Sequence, residues 1–163
     1  MNRLLGTSLI ISLFGVAACA SKSATTVPGV AGSWNGTFRQ SQTAASSVIG
    51  PATAPKSAAY GSIMLTPAEG RPGYFKVELS ASAPVDPNTQ LAWAIFSGPC
   101  GSPGPSVAGI NEFPALEISS AGGNVRTVMA LSLDPHGSYH ANVYWSSRAS
   151  DVSNVMMCAN LTQ

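Results

Sequence analysis

The sequence predicts an all-β domain, an antiparallel sandwich of about eight strands, and three observations carry that expectation. Only 9% of the residues are charged while Gly (16) and Pro (12) are abundant, a composition of short strands and turns rather than of long solvated helices. Apolar residues alternate with polar ones in several separate stretches, and no long amphipathic helix or internal repeat occurs. Finally, Leu91-Ala92-Trp93-Ala94-Ile95-Phe96 is apolar throughout before it breaks at Ser97-Gly98-Pro99 and ends in Cys100. A strand with one wet face would alternate, so this run is expected in the middle of the sandwich, covered on both sides.

The chain opens with Asn2-Arg3, an apolar run from Leu4 to Ala18, and Val16-Ala17-Ala18-Cys19. Positive charge, a short apolar segment and small residues before a cysteine make residues 1–18 a signal peptide, too short to span a bilayer comfortably. The tetrapeptide resembles the lipobox of bacterial lipoproteins. That resemblance implies cleavage before Cys19, diacylglycerol on its thiol and a third acyl chain, such as palmitate, on its amine. At about 0.8 kcal/mol per buried methylene, such chains together hold a protein at a membrane permanently. An ordinary secretory cut near Ala18 is the alternative. Ala20-Ser21 has no acidic residue after the cysteine, which resembles sorting to the outer membrane. Residues 19–32 then read as the lipidated cysteine and a flexible Ser/Thr/Ala/Gly tether, and 33–163 as the sandwich.

Within the sandwich, Trp34, Gly36 and Phe38 alternate with Asn35, Thr37 and Arg39 as a first strand. Residues 41–57 are Ser, Ala, Thr and Pro with little apolar area to bury, expected as a long exposed loop. Tyr60 to Thr66 is a second strand, turned by Pro67 to Gly73 into a third, Tyr74 to Ser80. There Phe75, Val77 and Leu79 face inward and Lys76, Glu78 and Ser80 outward. The apolar run is the fourth, followed by a Gly/Pro/Ser loop. Leu116 to Ser119, a tight turn at Ala121-Gly122-Gly123-Asn124, and Val125 to Leu133 follow. Tyr139 to Trp145 is a seventh strand, with Tyr139, Ala141, Val143 and Trp145 inward against His140, Asn142 and Tyr144. Ser146 to Asn154 is polar and has room for one helical turn, and Val155 to Leu161 is the eighth strand.

Three cysteines are an awkward number for an exported protein. Lipid on Cys19 leaves Cys100 and Cys158, which in an oxidising compartment have one possible pairing. Closing the long loop between them is worth roughly 4 kcal/mol in the chain-entropy model. Two free buried thiols are the alternative.

Charge narrows the partners. Eight basic residues, one of them Arg3 in the leader, stand against seven acidic ones, so there is no electrostatic footprint for nucleic acid.

Eight short strands, with a cysteine in the loop after the fourth and another in the last, resemble the plan of copper/zinc superoxide dismutase and of chordin-type domains. The stretches that carry the resemblance are Trp93 to Cys100, Tyr139 to Trp145, and Val155 to Leu161. It implies a Greek-key sandwich, but the enzymes' metal ligands are missing. Their His-x-His pair would fall at Ala92-Trp93-Ala94-Ile95, and another histidine at Val143-Tyr144-Trp145. The loop from Gly101 to Phe113, where their zinc ligands lie, has no His or Asp. The chain is therefore expected to be metal-free, with Trp93 and Trp145 filling that space.

Other chemistry is thin. His136 and His140 are expected on a turn and on a solvent-facing strand position, not converging on one ion. Met156-Met157 beside Cys158 suits copper(I) by ligand type, yet adjacent strand residues face opposite ways and Met is ordinary core filler. Asp134 and His136 lie close to each other, but two-residue spacing on a turn does not orient a catalytic triad. Tyr60, Tyr144 and Phe113 are candidates for an exposed aromatic patch. The expectation is a non-enzymatic binding or structural module of the cell envelope with no cofactor and no catalytic residue. It would be attached to the bilayer through Cys19 and have a protein or glycan partner. Copper handling or oxidative defence through an unusual metal site is the alternative.

Overall fold

The computed structural model describes residues 32–41, 59–147, 149 and 154–163. The signal peptide, Cys19, all of the tether but Gly32, residues 42–57 of the expected loop, and most of the expected helical turn lie outside the described residues.

Nine antiparallel strands form one nearly closed sheet, with no α-helix among the described residues. They are β1 (Trp34–Gln40), β2 (Tyr60–Pro67), β3 (Tyr74–Ser82), β4 (Thr89–Leu91), β5 (Trp93–Ser97), β6 (Leu116–Ser119), β7 (Gly122–Ala130), β8 (Tyr139–Tyr144) and β9 (Val155–Leu161). Their order across the sheet is β4-β6-β7-β3-β2-β1-β9-β8-β5. The ninth strand arises because the expected fourth is divided at Ala92. Leu91 pairs with Leu116 of β6, whereas Trp93 pairs with Val143 of β8. Ala92 itself donates to the Ser146 carbonyl (2.7 Å) and accepts from Tyr144 (2.9 Å). One continuous segment thus changes partners at a single residue, and the two ends of the sheet meet there.

Alternation places the core between the faces of this curled sheet. Trp34 and Phe38 from β1, Ile63 and Leu65 from β2, and Val77 and Leu79 from β3 are all buried. Trp93 lies among them, its indole Nε1 donating to the Pro114 carbonyl at 2.7 Å and its ring edge-on to Phe113 at 4.9 Å. Trp145 is only partly buried and packs against the same cluster.

Both ends of β7 differ from expectation. The turn after β6 is made by Ser120-Ala121, and Gly122 already begins β7 with φ +102°, a left-handed conformation that favours glycine. β7 therefore ends at Ala130, three residues before the expected Leu133. β8 departs more sharply, since all six of its residues are buried. His140, Asn142 and Tyr144, expected to face solvent, are 1%, 4% and 3% exposed.

Candidate functional site

For His140 and Asn142 the reason lies in the loop after β5. It turns at Gly98 (φ +89°) and Gly101 (φ +86°), backbone conformations that glycine adopts without penalty, and folds over the outer side of β8 and β9. Three contacts hold it there. Cys100 and Cys158 stand at disulfide distance, with Cα atoms 6.0 Å apart. The Cys100 N–H donates to Asn160 Oδ1 at 2.7 Å. His140 Nδ1 meets the Gly98 carbonyl at 2.8 Å, and its ring stacks on Phe96 with centroids 5.6 Å apart. A neutral imidazole with its proton on Nδ1 satisfies that carbonyl. Burial pushes the His140 pKa below the usual histidine value, and the Gly98 carbonyl offsets part of that shift.

Beside this loop lies a cleft of about 780 Å³. Strand register builds its floor. Arg39 on β1 is paired with Cys158 on β9, and Cys158 with Asn142 on β8. The three side chains therefore stand in a row across the outer face, with the disulfide sulfur in the middle. Thr37 and Asn160 line the cleft one step along, and Ser102 lines it from the loop. None of the described lining residues is acidic. Arg39 is exposed and makes no ion pair among the described residues, where Lys76–Glu78 (2.9 Å) forms instead. Asn160, which also lines the cleft, commits Oδ1 to the loop. Asn142 is enclosed, and its Oδ1 has no hydrogen-bond partner. An unmatched buried carbonyl costs about 1–3 kcal/mol, so this position is not optimised for stability. Chemically the cleft offers a cation and several uncharged donors, with one unmatched acceptor at its base.

Of the residues singled out in the sequence, the structure brings only Cys100 and Cys158 to this place, with His140 beneath the loop. Cys19 lies outside the described residues. His136 is exposed on the turn before β8, its N–H bonded to Asp134 Oδ1 at 2.8 Å. His140 points beneath the Gly98 carbonyl, so the two histidines do not converge. Met156 and Met157 are both fully buried in the core cluster. Among the described residues no three His, Cys, Asp or Glu side chains group as a metal would need. The candidate aromatic patch is not assembled. Tyr60 is 63% exposed, but Tyr144 is buried and Phe113 lies against Trp93.

Comparison with known proteins adds no name. No family model, no curated protein and no solved structure matches this chain. Arg39, Asn142 and Asn160 carry the cleft and had no motif to reveal them. One signal was present: a last strand pairing with both the first and the penultimate one places these three residues around Cys158.

Proposed function

We propose that the protein is an exported, lipid-anchored module of the cell envelope that works by binding and not by catalysis, through the cleft beside Cys100 and Cys158. The observation that carries this reading is the row Arg39–Cys158–Asn142, which sets a guanidinium with no ion pair among the described residues, and an enclosed unmatched carbonyl, beside a ligand-sized depression. Pockets for small ligands span about 300–1,000 Å³ and combine a shaped wall with a few placed polar groups. Export draws support from the cysteine pair, because disulfides persist mainly in oxidising compartments. The superoxide dismutase-like, Greek-key reading draws support from strand order. The segment β4–β5, then β6 and β7, form a meander, and β8 returns to lie beside β5, the fourth-beside-first arrangement of a Greek key.

Two measurements test the proposal. Cys19→Ser should move the protein from the membrane to the soluble fraction with its thermal midpoint unchanged, and continued membrane retention would refute the anchor. Elemental analysis of the purified protein after incubation with copper and zinc and buffer exchange should find neither metal retained. Near-stoichiometric metal would replace the binding reading with copper handling or oxidative defence.

A further inference from the structure

The chemistry of the cleft narrows the class of ligand it takes. Among the described residues its one charged wall residue is Arg39, and neither lysine nor carboxylate lines it. A lone planar guanidinium matches the two oxygens of a carboxylate as a fork. A phosphate dianion would call for more positive charge than one arginine supplies. At the other end of the row, Asn142 Oδ1 needs a donor, which neither a bare carboxylate nor an apolar chain provides.

The spacing between the two defines the ligand further. Arg39 and Asn142 flank Cys158 on successive strands, so their backbones lie about 10 Å apart at the usual strand spacing of 4.7–4.9 Å. Arg39 lines the cleft at one end of this row. A carboxylate on the guanidinium and an N–H donor one or two residues back then fit, since an extended chain advances roughly 3.5 Å per residue. Donors at Thr37 and Asn160 line the cleft one step along the strands from this row, beside the path such a chain would take.

We propose that this cleft binds the free carboxyl terminus of a peptide, with the carboxylate on Arg39 and a backbone N–H of the ligand on Asn142 Oδ1. The proposal rests on the binding reading above and names the ligand class for the same site. Oδ1 is enclosed in the free protein, so ligand access includes a turn of the Asn142 amide about its terminal torsion, which is among the softest in any side chain. Once turned toward the cleft, Oδ1 can only accept, and this adds selectivity for a ligand with a donor over a simple anion.

The test uses the full mature chain in detergent, titrated by calorimetry with N-acetyl-alanyl-alanine, its C-terminal amide, and acetate. The acid form should bind saturably. Binding should weaken at least ten-fold for the amide, for acetate, and for the acid form with Arg39→Gln. Arg71→Gln serves as a control, because Arg71 stacks on the Tyr74 ring at 3.9 Å and does not line the cleft, and it should bind like the parent. Equal binding of acid and amide would overturn the carboxylate assignment. Acetate binding as tightly as the peptide would overturn the role of Asn142, and no saturable binding would overturn the proposal entirely. Each of these outcomes is separate from retention of metal, which would overturn the underlying binding reading.

Discussion

Replacing both Cys100 and Cys158 by serine is the most informative perturbation of the fold. The bond closes a loop of 58 residues, and the chain-entropy relation assigns such a loop about 4 kcal/mol of restriction on the unfolded chain. That is a large part of the 5–15 kcal/mol by which domains of this size are stable. The structure adds a second term. The cross-link also pins the loop whose Gly98 carbonyl partners His140 and whose Cys100 N–H partners Asn160. Losing their restraint exposes the outer side of β8, so the loss should reach or exceed the entropic figure. Urea unfolding of the parent, the parent in reductant and Cys100→Ser/Cys158→Ser, followed by tryptophan fluorescence, measures it. The expected result is a loss of about 4 kcal/mol or more for both reduced forms. A rise in the denaturant slope should accompany it, because an unfolded chain without the cross-link expands further. A loss below about 1 kcal/mol would refute the reasoning, since the loop would then be held by its other contacts alone.

Acidification should destabilise the protein through His140, whose folded pKa is lowered by burial. Above about pH 6.5 both states are neutral at this residue, whereas below it the unfolded chain takes up the proton first. Stability is therefore full above that pH and falls as pH drops, with a slope approaching roughly 1.4 kcal/mol per unit. Thermal midpoints between pH 8 and 5 should show this decline, and His140→Phe should flatten it; an unchanged decline would assign it to other groups. Asn142→Leu removes the unmatched carbonyl and should raise stability by about 1 kcal/mol in urea, while a loss of that size would mean the amide is satisfied in solution. Trp93→Ala should cost about 3–5 kcal/mol by opening a cavity in the core and removing the bond to the Pro114 carbonyl. A cost under 1 kcal/mol would contradict its central position.

Much of the strand pattern was legible because alternation is a local property. β9 occupies the expected Val155–Leu161, and β1, β2 and β3 begin within one residue of where the sequence placed them. β8 is instructive because its alternation was read correctly and its environment was not. His140 and Asn142 do face away from the inner core, but a distant segment covers them, and nothing within β8 announces the cover. The candidate cleft was illegible for the same reason. Arg39, Ser102, Asn142 and Asn160 come from three strands and a loop, and only register sets them side by side. Ala92 was hidden too, since an apolar run records that both faces are covered and not that the segment changes neighbours midway.

That change of neighbours at Ala92 bears on how anything docks here. A sheet with two long open margins invites another chain to add a strand. In this protein one margin, β4, spans only three residues. The other, β5, is already occupied where Pro105 and Val107 bond to Ser97 and Ile95. Among the described residues, strand addition therefore has only the short β4 margin to start from, and copies crowded on a surface have little seam along which to zip together. Whatever this protein meets must come to it face-on, over the side chains.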